Sequence, residues 1–444
     1  MKPIKVVFIS FVVLLSVAWL GADAILPEPL TYFSFRSVFV QYSGVIAIAA
    51  MSISMILATR PAFIEHYSNG LDKMYRLHKW LGITALTSAS LHWWWAKGTK
   101  WMVSWGWLER PNRRPKSDET LSSIEQFLRS QRGLAETLGE WTFYAATILI
   151  LLALIKYFPY HIFRKTHKWL AALYIVLAYH SVILIKIDYW VQPVGWIVAI
   201  LITAGLLSSI LILANRVGQK RKVKGEVQSI TYHSGVSSTE GTIKLQNGWQ
   251  GHKPGQFAFV TSSTTEGPHP YTIASAWDED DSSLTFIVKE LGDWTQQITE
   301  RIKPGTPVSV EGPYGNFTFE DNCEHQIWIG AGIGITPFIA KMKQLAKQPS
   351  PQKINLFHIT SDDDPHVMDL LARDAAAAGI QLHLHNSKKS GRLTPDMICA
   401  IMPDWDKTSV WYCGRNELGN LLKKNFTSRG LASGRFHQEL FQMR

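Results

Sequence analysis

Four histidines stand in two apolar segments at nearly matched spacing. His78 and His92 are fourteen residues apart in HKWLGITALTSASLH, and His167 and His180 are thirteen apart in HKWLAALYIVLAYH. At ~1.5 Å of rise per residue each pair spans ~20 Å along a helix, most of a ~30 Å hydrocarbon core. Ionisable side chains in membrane helices are expensive, so they usually face a bundle interior and serve a function. Imidazole is also an axial ligand of haem iron. Two parallel helices of this kind could clamp two haems one above the other, with His78 opposite His167 and His92 opposite His180. A lone buried histidine is more often a satisfied core residue, but two pairs that each open on His-Lys-Trp-Leu point to ligation. The spacing carries one difficulty. Fourteen positions return to within ~40° of the same helix face, whereas thirteen miss it by ~140°. The second helix must bend, or its histidines must approach their irons from different sides.

The second half of the chain holds different chemistry. Gly330-Ala331-Gly332-Ile333-Gly334-Ile335-Thr336-Pro337 follows the strand-like QIWI and precedes the helical PFIAKMKQLAK. A glycine-rich turn from strand to helix lets the backbone approach a pyrophosphate at a helix N-terminus. It is not the GxGxxG fingerprint, and such turns also serve packing. Upstream, His269-Pro270-Tyr271-Thr272 precedes Phe286-Ile287-Val288-Lys289 and then Leu291-Gly292-Asp293-Trp294-Thr295. An aromatic beside a hydroxyl can stack on an isoalloxazine ring and hydrogen-bond its edge, and Gly-x-x-Thr at a helix start can hold a pyrophosphate. The same stretches would otherwise pass as ordinary strands with Tyr271 in a core.

The elements that must position these residues are unevenly distributed. The chain has 444 residues, 46% hydrophobic, with 18 Trp, and its mean hydropathy of +0.01 averages two unlike halves. Apolar runs at roughly 4–26, 36–58, 74–96, 138–158, 167–187 and 193–214 read as six spans. The first could instead be a signal peptide cleaved near Ala22-Asp23-Ala24. The basic loops 60–79, 156–168 and 216–224 should be cytoplasmic and the uncharged-to-acidic segments 27–35 and 187–193 outside. The outer loop 97–137 is long and basic. Its part LSSIEQFLRSQRGLAETL reads as a helix along the membrane surface, and Trp93, Trp94, Trp95, Trp101, Trp105 and Trp107 as an interfacial belt or a lid over the outer haem. Tyr174 lies midway between the second histidine pair and reads as packing. His66 and His161 read as surface residues of cytoplasmic loops.

Residues 215–224 form a basic stop-transfer linker. Short β runs with Gly/Pro turns follow to about 320, and beyond that HQIWIGA, INLFHIT and SVWYCG alternate with helical stretches, as in a parallel α/β sheet. Cys323, Cys399 and Cys413 form no CxxC pair and suit a reducing compartment. The net charge of +10 clusters at the ends of apolar segments, and no nucleic-acid-binding motif accompanies it.

Residues 220–444 resemble the ferredoxin–NADP reductase superfamily through PGQF (254–257), HPYTIAS (269–275), VKELGDWT (288–295), GPYGNF (312–317), GAGIGITPF (330–338) and YCGR (412–415). The first half resembles the ferric reductase-like transmembrane domain, with GLDKMYRLHKWLG before its histidine pair. Together they are similar to the NADPH oxidase and ferric reductase family, in its single-chain bacterial form. The resemblance implies that Tyr271 and Thr272 meet the flavin, with His269 and Pro270 setting the turn. Lys289 with Gly292, Asp293, Trp294 and Thr295 would hold the FAD phosphates. Gly330, Ala331, Gly332, Ile333, Gly334, Thr336 and Pro337 would cradle the nicotinamide dinucleotide, and Cys413, Gly414 and Arg415 would border the site of hydride transfer. Phe441 fits the aromatic that this family places over the flavin, although three residues follow it.

The expected protein is therefore multi-domain. A six-helix transmembrane haem-binding bundle (1–217) is followed by a flavin-binding antiparallel β-barrel (218–320) and a parallel α/β nicotinamide-binding domain (321–444). Electrons from cytosolic NAD(P)H would pass through FAD and two b-type haems to an outer acceptor, oxygen or a ferric chelate, with no obligate protein partner and no nucleic acid. The expected location is the bacterial cytoplasmic membrane. The acidic run Thr360 to Asp364 favours a ribose hydroxyl, while Lys388, Lys389 and Arg392 could compensate a 2′-phosphate, so NADH or NADPH stays open. Two other readings are a membrane-anchored flavin reductase without haem and a histidine-based proton transport protein with a redox regulatory domain.

Overall fold

The computed structural model describes residues 2–68, 70–109, 122–155, 158–263, 265–362 and 364–439. Phe441, Asp363 and the side chains of His66 and His161 lie outside them. The chain divides into two compact units, one of residues 1–68 and 73–217 and one of 69–72 and 218–443.

Unit 1 is helical and membrane-spanning. Its long helices are α1 (Lys2–Leu20), α2 (Tyr32–Ala58), α3 (Leu71–Trp93), α4 (Ser123–Leu154), α5 (Tyr160–Leu184) and α6 (Pro193–Leu213). Helices α2, α4, α5 and α6 are long and apolar enough to cross a membrane. The other two expected spans are helices at their expected places but do not meet that measure. In α1 the apolar part runs over Lys5–Leu20, and α3 opens with Asp72, Lys73, Arg76 and Lys79. Leu14, Ile148, Ile200 and Leu207 are more than half exposed in the isolated chain, as lipid-facing side chains must be.

The ends follow from capping chemistry. Thr31 and Ser34 form a reciprocal box before α2, Ser122 and Glu125 form one before α4, and Pro193 opens α6. The cap at Ser122 corrects the expectation of a separate surface helix. Residues 123–138 are the first half of α4, continuous with the apolar part, because no proline or cap interrupts the run. Helix α2 lies at the centre, with every residue from Val45 to Ser52 buried. Tyr174 of α5 is fully buried, its hydroxyl 2.7 Å from that of Ser52, against Gly205 of α6. It ties three helices together, which is a packing role.

Unit 2 contains two sheets. Strands β1 (Lys222–His233), β2 (Ser238–Leu245), β3 (Phe257–Thr261), β4 (His269–Thr272), β5 (Ser283–Lys289) and β6 (Pro307–Tyr314) form an antiparallel sheet in the order β4-β3-β6-β1-β2-β5. An isolated bridge between Ile273 and Phe286 brings its two edges together. Strands β7 (His325–Ala331), β8 (Lys353–Thr360), β9 (Gln381–Asn386), β10 (Ser409–Cys413) and β11 (Phe436–Gln438) form a parallel sheet in the order β11-β10-β7-β8-β9. Helices α7 (Thr336–Lys347), α8 (Pro365–Ala377) and α9 (Asn416–Ser428) connect its strands. One face of this sheet packs Trp328, Phe338 and Trp411, and the other Phe357, Tyr412 and Phe426, so its central strands are apolar on both sides.

Candidate functional site

The four histidines meet in two pairs. The ring centroids of His78 and His167 are 6.0 Å apart, and those of His92 and His180 are 6.2 Å apart. Two imidazoles that bind one iron from opposite sides, with bonds of ~2.0 Å and ~1.2 Å more from nitrogen to ring centre, would lie ~6.4 Å apart. Both gaps therefore fit a single metal atom between two rings.

The ring nitrogens are oriented for this. His78 Nδ1 lies 3.0 Å from the Ser54 carbonyl, His92 Nδ1 2.8 Å from the Val40 carbonyl and His180 Nδ1 2.8 Å from the Ala135 carbonyl. A carbonyl can only accept, so in each case Nδ1 carries the proton and Nε2 keeps its lone pair for a metal. Ser54 and Val40 are fourteen residues apart on α2, matching the spacing of His78 and His92 on α3. His167 differs: its buried Nδ1 has no hydrogen-bond partner among the described residues, and its ring stacks on Phe163 at 4.9 Å. Helix α5 runs unbroken through both of its histidines. The thirteen-residue offset is absorbed by ring direction, His180 turning to α4 and His167 lying along Phe163.

A cavity of about 370 Å³ adjoins His92 and His180, between α2, α3, α4 and α5. Its walls include Met51, Ala89, Phe143 and Leu177, and its charged residues are Arg36, Lys97, Lys100, Arg132, Glu136 and Glu140. Lys97 pairs with Glu140 at 2.6 Å and Arg132 with Glu136 at 3.2 Å. Glycines make room for the rings. A Cβ at Gly139 would lie 2.0 Å from His180 Nδ1, and one at Gly44 would lie 3.2 Å from His92.

Directly after His92 and Trp93 the helix widens into a π-turn, Trp94–Gly98, a feature frequent at functional sites. Arg36 donates to the Trp95 and Ala96 carbonyls there, at 3.0 and 3.1 Å. Sequence reading missed both the π-turn and Arg36, since no residue type marks the first and a lone arginine is unremarked in a span. The tryptophans divide. Trp93 lines the cavity and donates to Tyr144 at 3.1 Å, Trp95 packs on Tyr32 and Phe39, and Trp94, Trp105 and Trp107 are exposed.

In unit 2, His269 and Tyr271 alternate on β4, their rings nearly parallel at 6.2 Å, and Trp294 stacks on His269 at 5.8 Å. Pro270 and Thr272 pair with Phe259 and Phe257 of β3. The Gly292–Thr295 turn is closed by its own hydroxyl, since Thr295 Oγ1 accepts from Leu291 and Gly292 N–H at 2.9 and 3.0 Å. Lys289 is directed to Asp362, its Nζ 2.5 Å from Oδ2.

Gly330 and Ala331 end β7, Gly332 to Ile335 form one 3₁₀ turn, and Thr336 and Pro337 begin α7. A Cβ at Gly334 would meet the Cys413 carbonyl oxygen at 2.3 Å, so the glycine turn lies against the end of β10. Gly414 adopts φ 154° beside Ala331. Arg415 is exposed, its carbonyl accepting from Tyr412 Oη at 2.7 Å. The Cys413 thiol is fully buried, and burial and then the Glu439 carboxylate push it well above the usual thiol range.

Residues 43–178 match the family described as ferric reductase like transmembrane component, and residues 240–318 match a FAD-binding domain family. The first match holds three of the histidines and stops two residues short of His180. NADPH oxidoreductase of Mycobacterium tuberculosis is 27% identical over 264 residues, 56% of this chain and 68% of that protein. Ferric reduction oxidase 5 of Arabidopsis thaliana is 32% identical over 104 residues, 22% of this chain and 15% of that protein. Dual oxidase 1 of Sus scrofa is 29% identical over 224 residues, 46% of this chain and 14% of that protein. The matched part of the chain thus spans only a small fraction of the plant and animal relatives. Among solved structures, flavohemoglobin from Malassezia yamatoensis aligns at 18% identity with a TM-score of 0.45, over 73% of this chain and 89% of that one.

Proposed function

We propose that this chain, which is similar to the ferric reductase and NADPH oxidase transmembrane oxidoreductases, carries electrons from NAD(P)H through FAD and two b-type haems to an acceptor on the far side of the membrane. When bound, FAD accepts a hydride and yields single electrons, and the haems relay them. The carrying observation is the pair of ring separations, 6.0 and 6.2 Å, which suit iron held between His78 and His167 and between His92 and His180. The carbonyls of Ser54, Val40 and Ala135 hold three of those rings with Nε2 available. Arg36 at the cavity supplies a cation for haem carboxylates.

Within unit 2, Tyr271, Thr272, His269 and Trp294 form the flavin side of the hydride-transfer site, in the barrel expected of residues 218–320. The turn Gly330 to Pro337 with Cys413 and Gly414 forms the nicotinamide side. The His92 and His180 pair lies nearest the outer face, and unit 2 lies in the cytoplasm of a bacterial cell. With His78, His167, His92 and His180 all holding iron, the haems would supply electron transfer and not a binding position for the acceptor. Oxygen, giving superoxide, and chelated ferric iron both fit that route.

An absorbance spectrum of the purified protein, before and after anaerobic NAD(P)H, tests the proposal. The expected result is a Soret band that shifts on reduction, sharp α and β bands, and two haems per chain by pyridine haemochrome. His78→Ala and His92→Ala should each remove one. A flavin spectrum without a Soret band, from protein made with ample haem, would leave a membrane-anchored flavin reductase. Proton current without haem absorbance would favour the transport reading.

A further inference from the structure

Parallel α/β sheets bind nucleotides in the crevice outside the carboxyl ends of their strands, and an acidic residue beyond the second strand accepts the ribose hydroxyls of an unphosphorylated dinucleotide. In unit 2 the glycine turn and α7 lead to β8, and the chain leaves that strand through Thr360, Ser361 and Asp362. The structure gives the acidic residues there different duties. Asp364 serves the fold, since its carboxylate accepts the Val367 N–H at 3.3 Å as the cap of α8 and its side chain abuts Gly235. Asp362 is held at the strand end instead, its N–H donating to Thr360 Oγ1 at 2.9 Å.

Among the described residues the Asp362 carboxylate has one partner on each oxygen. Ser361 Oγ lies 3.3 Å from Oδ1 and Lys289 Nζ lies 2.5 Å from Oδ2. Both side chains of the ion pair keep 23% of their exposure, so the pair remains open to a ligand. A carboxylate offers about four acceptor sites, so two partners leave room for two ribose hydroxyls. The end of β9 lies alongside, where Ser387 Oγ donates to the Thr360 carbonyl at 3.1 Å. The Lys388 and Lys389 side chains beyond it are exposed to solvent.

We propose that Asp362 sets the nicotinamide choice of this chain in favour of NADH, with Lys289 as the positioning partner that aims its carboxylate. The inference rests on unit 2 being an NAD(P)H–FAD module. A phosphate monoester carries a charge of about −1.5 to −2, and the 2′-phosphate of NADPH would meet the carboxylate where NADH presents a hydroxyl. Lys289, the lysine in contact with that carboxylate, is already paired, and Lys388 and Lys389 lie beyond the end of β9. The same pair fixes the direction of change, because removing the carboxylate frees Lys289 for the phosphate.

The test uses the full-length, FAD-loaded protein in detergent, mixed anaerobically with NADH or NADPH while flavin absorbance bleaches. That signal needs only nicotinamide and flavin, so it is readable whatever the haem content, which the absorbance spectrum decides separately. The expected second-order rate constant for NADH exceeds that for NADPH by about tenfold or more, equivalent to ~1.4 kcal/mol. Asp362→Ser and Asp362→Asn should lower that ratio by about tenfold or more at unchanged flavin content, through KM for both dinucleotides. Adding Lys289→Met to Asp362→Ser should remove the gain with NADPH. A wild-type preference for NADPH, or a ratio that both Asp362 variants leave unchanged, would overturn the proposal. Bleaching by neither dinucleotide would overturn the proposed function with it.

Discussion

Gly139→Ala is the substitution that most sharply separates haem ligation from plain helix packing. The new methyl carbon would lie 2.0 Å from His180 Nδ1, 2.4 Å from Cε1 and 2.7 Å from Cγ. Carbon and nitrogen in contact sit ~3.5 Å apart, so the ring must retreat by more than an ångström. Overpacking of that kind costs ~1–3 kcal/mol. The retreat also breaks the 2.8 Å bond from Nδ1 to the Ala135 carbonyl, at ~1–3 kcal/mol for a buried group left unsatisfied. The two together, ~2–6 kcal/mol, weaken haem retention at this pair by roughly 30-fold or more. Two neighbours calibrate the result. At Gly44 the contact to His92 is 3.2 Å, which a few tenths of an ångström relieve, so Gly44→Ala should lower occupancy only slightly. At Gly133, in the same helix α4, a Cβ meets nothing within 4 Å, and Ala there should stabilise the helix by ~0.5–1 kcal/mol. Haem-to-chain stoichiometry by pyridine haemochrome is the assay, with one haem expected for Gly139→Ala and two for Gly133→Ala. Two haems with an unshifted spectrum in folded Gly139→Ala would refute the reasoning, as would equal loss in Gly133→Ala.

Three further outcomes follow from unit 2. Gly334→Ala drives a Cβ to within 2.3 Å of the Cys413 carbonyl oxygen, where backbone cannot yield, so NAD(P)H-dependent flavin bleaching should be lost. Gly332→Ala meets no protein atom within 4 Å and costs only the ~1–2 kcal/mol of a side chain at φ 57°, so near-normal folding stability is expected there while Gly334→Ala loses it; equal loss of stability in both would refute the packing argument. Burial pushes His358 down to about 4 from 6.5, so it is neutral when folded. Its contribution to stability is complete above pH 6.5 and is lost as pH falls towards 4, by ~3 kcal/mol at most. His358→Gln should therefore flatten the acid limb of the unfolding profile, read by tryptophan fluorescence, and an unchanged slope would count against it. The Cys413 thiol, buried and held neutral, should resist alkylation at neutral pH until the chain unfolds; rapid labelling of the native protein would show that it is accessible.

The pairing of the histidines was legible because it is a matter of spacing, and helices turn spacing into height. What fixes three of the four rings was not, because the partners are backbone carbonyls of Ser54, Val40 and Ala135, which carry no signature of their own. Gly44 and Gly139 read as unremarkable small residues until the fold sets a ring beside each. Residues 123–138 are helical as their apolar spacing implies, but that spacing alone resembles a surface helix, and only continuity with the span distinguishes the two. Strands β7, β8 and β10 carry bulky apolar residues such as Ile327, Trp328, Leu356, Phe357 and Trp411 and stood out, whereas β9 reads QLHLHN, an edge strand whose alternating histidines hid it. Lys289 could be seen as a phosphate ligand, but its partner Asp362 is 73 residues away and only folding joins them.

The first helix bears on how the bundle is completed. Leu15 and Trp19 of α1 are buried to 2% and 3% exposure, and Trp19 Nε1 donates to Tyr189 Oη at 3.1 Å. Just beyond the helix, Asp23 accepts from Lys186 and from Tyr189, the latter at 2.5 Å. Burial alone would raise the Asp23 carboxyl, but the bonds from Lys186 and Tyr189 outweigh it and hold it below 3.8. The group therefore stabilises the fold above that pH and ceases to do so as pH falls through its lowered value. Cleavage near Ala24 would remove both buried side chains and strip Lys186 and Tyr189 of their shared acceptor, so the packing argues for a helix that stays. Intact mass of the purified protein should include residues 1–24, and Asp23→Asn should lower the thermal midpoint at pH 7, by an amount that shrinks as pH falls below 3.8 and through the lowered value. A mature chain beginning near residue 25, with unchanged stability, would show that this corner of the bundle holds without α1.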